Sequence, residues 1–198
     1  MKHFTFIIAF CLFSLCCSGQ KTYLAGIKNV PINVTCEEFR QNISRECQYL
    51  GEYVVASFEE SPRLYDEMAE AYVTNDVWGH GRTHVYVICK EGRVKQVFME
   101  FPWGDASTLG SDSFATYTWG AGNVFPDLFG TSSNKDKGWD DSVSSARYKL
   151  SETWIRPDGI RVTITCYLEW NQDPFNKERS PIDLKGRQAR TEILYEVL

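Results

Sequence analysis

Ile160-Arg-Val-Thr-Ile-Thr-Cys-Tyr-Leu-Glu-Trp170 alternates without a break between apolar and polar side chains, Tyr167 standing among the polar set. Ile160, Val162, Ile164, Cys166, Leu168 and Trp170 share one side. Arg161, Thr163, Thr165, Tyr167 and Glu169 share the other. A period of two is that of a strand, whose successive side chains point to opposite faces. One apolar face and one polar face is the signature of an antiparallel sheet that buries a single side. Just upstream, residues 148–155 run into Arg156-Pro157-Asp158-Gly159. Pro presets φ and Gly accepts a positive φ, so this tetrapeptide turns the chain and makes 148–170 a hairpin.

A second hairpin follows from the same reasoning. Residues 83–89 and 94–101 flank Glu91-Gly92, a two-residue loop. If that loop alone sets the register, Cys89 faces Val94, Val87 faces Gln96 and Val85 faces Phe98 on the core side. His84, Tyr86, Ile88, Lys95, Val97 and Met99 then take the other side.

Helices are expected nearer the N-terminus. Thr35 followed three residues later by Glu38 is a capping box, and Phe39, Ile43, Cys47 and Leu50 recur at helical spacing, so a helix is expected from Cys36 to about Tyr49. A short strand at Tyr53 to Phe58 comes next. Ser61-Pro62 reads as a second helix start, with Leu64, Tyr65, Met68, Ala71 and Tyr72 facing inward. The tail from Gln188 to Leu198 fits helix (Ala189, Ile193, Val197) or strand (Ile193, Tyr195, Val197). The expected fold is therefore α+β, an antiparallel sheet of hairpins with two N-terminal helices packed on one face. Residues 102–145, rich in Gly, Ser, Asp and aromatics, form a loop-rich insertion or hide short elements around Tyr117 and Phe125–Phe129.

The chain starts with a short basic stretch (Lys2, His3), an apolar run from Phe4 to Leu15, and small residues Ser18 and Gly19. This is the layout of a signal peptide over 1–19, leaving a single domain over 20–198. The run is shorter than the roughly 20 residues that span a bilayer, and no second run follows, so no transmembrane segment is expected. Secreted or periplasmic is the expected location. Anchoring to an outer membrane through a lipid on Cys16 or Cys17 is the alternative, disfavoured because Leu15 and Cys16 are not the small residues such a signal wants before its Cys. Losing Lys2 moves the formal charge from -5 to -6. That acidity argues against a nucleic-acid partner, which needs a basic face.

Tyr23-Leu24-Ala25-Gly26-Ile27, Val30-Pro31-Ile32 and Thr35-Cys36-Glu37-Glu38-Phe39 resemble the opening of an uncharacterised family of short secreted proteins of gut Bacteroidetes. The resemblance covers only this N-terminal segment. It implies export and an α+β fold, and no chemistry.

Of the seven Cys, Cys36, Cys47, Cys89 and Cys166 lie beyond residue 19. An even number in an exported chain suggests disulfides. A continuous helix from Cys36 to Cys47 spans roughly 16 Å, whereas a disulfide needs Cα atoms within about 7 Å. At most one bond is expected, among Cys47, Cys89 and Cys166, with Cys36 left as a thiol.

No catalytic residue, cofactor site or metal site emerges from the motifs. His80 and His84 would point the same way on a strand but stand about 13 Å apart, too far to share an ion. Asn134, Asp136, Asp140 and Asp141 alternate faintly like a calcium loop but lack the glycine and the distal Glu of an EF-hand. No Gly-x-Ser-x-Gly elbow exists, and the acidic pairs Glu37/Glu38, Glu59/Glu60 and Asp140/Asp141 are merely adjacent in sequence. The residues singled out are Trp103, Trp119 and Trp139, each beside a glycine, because an indole in such a loop can stack on a sugar or anchor a protein. The leading expectation is an exported, non-enzymatic binding protein for an unknown protein or glycan ligand. The runner-up is a carbohydrate-binding or carbohydrate-processing protein using the aromatic stretch 102–145. A hydrolase with scattered residues comes third.

Overall fold

The computed structural model describes residues 21–54, 68–75, 77–78, 82–106, 112–140, 147–170 and 187–198. In chain order these contain α1 (Cys36–Ile43), β1 (Gln48–Val54), β2 (Met68–Thr74), β3 (Thr83–Lys90), β4 (Arg93–Glu100), the two-residue β5 (Gly104–Asp105) and α2 (Asp112–Trp119). A π-helical turn (Gly120–Val124) leads into α3 (Phe125–Phe129), followed by β6 (Asn134–Asp140), β7 (Arg147–Ile155), β8 (Ile160–Trp170) and β9 (Arg187–Val197). All strands belong to one antiparallel sheet ordered β1-β2-β3-β4-β9-β8-β7-β6, with β5 extending the β4 side of β9. The last strand of the chain thus lies at the middle of the sheet, sealing two meanders together.

This corrects the α+β expectation: the protein is largely β, and two N-terminal helices do not lie on the sheet. Only α1 is present at that end among the described residues. Met68, Ala71 and Tyr72, assigned above to the inward stripe of a second helix, belong to strand β2, which pairs with β1 on one side and β3 on the other. Hydrogen bonds along both edges, together with burial of Ala69, Ala71, Tyr72 and Val73, outweigh a helical propensity that is marginal in a short segment. The remainder of that expected helix, residues 61–67, falls outside the described residues, as do 55–58 of the expected short strand, whose pairing begins earlier, at Gln48.

Helix α1 starts where the capping residues put it. Thr35 Oγ1 accepts from the Glu38 amide at 3.2 Å, while the Glu38 carboxylate turns to Lys21 at 2.9 Å. The helix ends at Ile43, short of Tyr49, because the chain from Gln48 is recruited into the sheet. Phe39, Ile43 and Cys47 still point into the core.

Both hairpins form. Glu91 and Gly92 both have positive φ, 53° and 72°, as a two-residue turn of matching twist requires. The register, however, differs from the one the loop alone implies. Cys89 does pair with Val94, but Ile88 pairs with Gln96, leaving Lys95 as an extra residue in a bulge. One extra residue swaps every side chain beyond it to the other face. Val97 and Met99 therefore join Val85 and Val87 in the main core, and Phe98 passes to a smaller buried cluster with Ala69, Ile88 and Leu194 on the other face. Packing decides this: the bulge lets both strands put two apolar residues on one face. The second hairpin keeps its expected faces, and Ile160, Val162, Ile164, Cys166 and Leu168 are all buried.

The core lies between one face of the sheet and a cover of non-sheet segments. Residues 22–34 cross that inner face, burying Leu24, Ala25, Ile27, Val30, Ile32 and Val34. Phe125 of α3 packs on Trp154 with ring centres 5.2 Å apart, and the Trp154 indole donates to the Gly130 carbonyl at 2.9 Å. Helix α2 lies over β8 and β9. The stretch 102–145 thus carries β5, two α-helices, a π turn and β6 among its described residues.

One disulfide, Cys36–Cys89, joins α1 to β3, with Cα atoms 6.1 Å apart. Cys47 and Cys166 are buried thiols. As expected, Cys36 does not bond Cys47. The expectation that Cys36 stays a thiol is corrected. Residues just before α1 run beside the β3–β4 turn: the Cys36 amide donates to Gly92 O at 3.0 Å and the Val94 amide to Val34 O at 3.1 Å. This docking carries the first turn of the helix to Cys89, a long-range contact that helix spacing does not contain.

Candidate functional site

The polar half of the alternating stretch 160–170 lies on the sheet face opposite the cover. Pairing across the strands sets its residues in rows. One row runs Asn134, Thr153, Thr163, Leu194, Phe98; the next runs Asp136, Ser151, Thr165, Glu192, Glu100, His84; a third runs Gly138, Lys149, Tyr167, Arg190. The rows, apart from Glu100, His84, Gly138 and Arg190 at their ends, floor a trough of about 490 Å³ over β6–β9, within the roughly 300–1,000 Å³ of small-molecule sites. Thr153 and Thr163 share a hydrogen bond at 3.1 Å between their hydroxyls. Arg161 donates to Glu196 at 2.6 Å. Among the described residues, the apolar side chains of the lining are Phe98, Leu194 and Ile155, with the Tyr167 ring beside them.

One end of the trough is closed by a buried cluster. Arg190 donates to Glu192 at 2.6 Å and to Glu100 at 3.2 Å. Arg147 donates to Glu169 at 2.6 Å. Both guanidinium groups lie against Trp103 and Tyr167: Arg147 is 5.6 and 5.4 Å from the two ring centres, and Arg190 is 5.3 and 5.7 Å. Cation–π contacts of this kind strengthen when desolvated. Burial pushes the Glu100 carboxyl up to about 7, with repulsion from Glu192 adding to it; Arg190 at 3.2 Å pulls the other way. Burial also raises Glu192, against the pull of Arg190. Burial and the charge of Arg82 hold His84 below its usual value.

The three tryptophans do not share a surface. Trp103 turns onto the trough side and is engaged by the two arginines. Trp139 pairs in register with Tyr148, which in turn faces Leu168, so it belongs to the opposite face; its ring packs edge-on against Tyr148 at 5.4 Å. Trp119 is half exposed at the end of α2, in the cover over that same opposite face. Asn134, Asp136 and Asp140 lie on strand β6 rather than in a loop. Among the described residues no group of three His, Cys, Asp or Glu side chains could hold a metal ion; His80 lies outside them. Cys166 is fully buried, which pushes its thiol up to about 12, the opposite of a reactive thiolate.

The residues of the trough were in view as the wet side of one strand, but nothing local marks them as a site. Asp136, Lys149, Ser151 and Thr153 come from neighbouring strands and Glu192 from the far end of the chain. Their only sequence signal is polarity in alternating positions, which any half-buried strand shows. Comparison with protein-family models, curated proteins and solved structures returns no match for this chain.

Proposed function

We propose that this is an exported protein that acts by binding, with the trough over β6–β9 as its ligand site. One observation carries the reading: a concavity of about 490 Å³ sits on the sheet face away from the cover and is lined by polar side chains from four adjacent strands. Such a surface offers donors and acceptors on a rigid ladder, the arrangement in which a site holds its geometry best. Export is supported by the signal layout of residues 1–19 and by the resemblance of the N-terminal segment to secreted proteins. The Cys36–Cys89 bond fits an oxidising compartment, and among the described residues no helix is long and apolar enough to cross a membrane.

The test is a mixed-library screen by ligand-observed NMR on the protein and on Thr163→Trp, which fills the trough floor. Compounds that bind the parent should be lost from the variant. Compounds retained undiminished would place the site elsewhere, with Trp119, exposed on α2, as the next surface to block.

A further inference from the structure

We infer that the trough takes an uncharged, polyhydroxylated ligand, a short stretch of neutral oligosaccharide; this rests on the trough being the binding site. The charges decide the first part. Arg161 is neutralised by Glu196 at 2.6 Å, and Glu192 by Arg190 at 2.6 Å. Asp136 and Lys149 remain, one of each sign. Among the described residues the lining therefore presents no net charge, and no field of one sign favours an anionic or a cationic ligand.

Hydrogen-bonding capacity decides the second part. Ser133, Ser151, Thr153, Thr163 and Thr165 bring hydroxyls that both donate and accept. Asn134 adds an amide, Asp136 an acceptor and Lys149 a donor. Ligand hydroxyls need this mixture, because each is donor and acceptor at once. Among the described residues a lipid would find Phe98, Leu194, Ile155 and the Tyr167 ring against a polar remainder. An extended peptide binds a sheet by adding to its edge, whereas most of the trough floor is made by β7, β8 and β9, whose backbones are already paired on both sides; β6, at the rim, is paired only with β7 among the described residues. Tyr167, the aromatic ring at the trough end, is engaged by two guanidinium groups. Recognition thus runs through hydrogen bonds more than through ring stacking, and affinity should be indifferent to salt.

Isotope-labelled protein is titrated with neutral cello-, malto-, xylo- and manno-oligosaccharides, with a sulfated oligosaccharide and with an extended peptide. The expected result is shifts at Thr163, Thr165 and Lys149 with one neutral series, an affinity that changes less than about twofold from low to high salt, and a loss of at least about tenfold in Thr163→Trp. Asp136→Ala, on an exposed edge position, should weaken binding too, and keeps the test valid if Thr163→Trp does not fold. If the sulfated sugar or the peptide binds at the trough instead, the ligand class is wrong and the site stands. If a neutral sugar binds Thr163→Trp and Asp136→Ala as well as the parent, the site is wrong. Failure of every neutral series to shift a trough resonance overturns the ligand class.

Discussion

Replacing Cys36 and Cys89 together by alanine removes the disulfide that ties helix α1 to strand β3 of the sheet. The bond closes a loop with a sequence separation of 53. The entropy that such a closure removes from the unfolded chain amounts to about 4 kcal/mol at 25 °C. The native state should change little, because Cys36 also docks through its amide on Gly92 O and Phe39 and Ile43 anchor the helix. With a guanidinium slope of about 4 kcal/mol per molar, the unfolding midpoint should fall by about 1 M. Equilibrium unfolding followed by tryptophan fluorescence measures it, with circular dichroism confirming that the variant still folds. A midpoint within about 0.2 M of the parent would refute the reasoning, showing that the link does not restrain the unfolded chain. Alkylation in denaturant without reductant gives an independent check: labels should appear at Cys47 and Cys166 and at neither bonded cysteine.

Glu100, pushed up to about 7 by burial and Glu192, takes up a proton on folding, so its contribution is full below about pH 4 and is lost as pH rises through 7. Glu192 is raised as well and acts in the same sense. Stability should fall by roughly 1–3 kcal/mol between about pH 5 and 8, toward the lower end because Arg190 opposes the shift, and Glu100→Gln should flatten that fall; a rise over the same window would contradict the assignment. Trp154→Ala should cost about 3–5 kcal/mol, since the ring is fully buried against Phe125 and its indole bonds Gly130; a loss under about 1 kcal/mol in chemical denaturation would mean that the 125–130 segment does not pack there. Gly26→Ala should destabilise by about 2 kcal/mol or more, because φ is +83° and the new Cβ would stand 2.6 Å from Val77 and 2.8 Å from the Trp78 indole nitrogen; an unchanged thermal midpoint would show that this crossing of the sheet is wrong.

The hairpins were legible because their information is local. Alternation over 160–170 sets which side chains go inward, and the turn at 156–159 brings the two strands together whatever the rest of the chain does. The N-terminus of α1 was legible for the same reason, since Thr35 and Glu38 sit within one turn. Its end was not, because Cys47 and Leu50 continue the stripe of Phe39 and Ile43, and only a partner strand draws the chain from Gln48 into the sheet. Met68 to Tyr72 posed the same ambiguity. The trough was least legible, since no two of its strands announce that they will be neighbours.

By itself the sequence determined the hairpin turns, the two faces of β8 and the start of α1. These depend on backbone geometry over a few residues and on the period of the side chains. The absence of a Cys36–Cys47 bond was expected from a helix unbroken to Cys47, whereas the helix ends at Ile43. The tertiary structure alone decided that β9 lies at the middle of the sheet, that Lys95 bulges out so that Val97 and Met99 point inward, that Cys36 reaches Cys89, and that Asp136, Lys149, Thr163 and Glu192 share one floor. Each of these is a choice among pairings of similar local merit, and burial of apolar area summed over the whole core, which no short window contains, makes the selection.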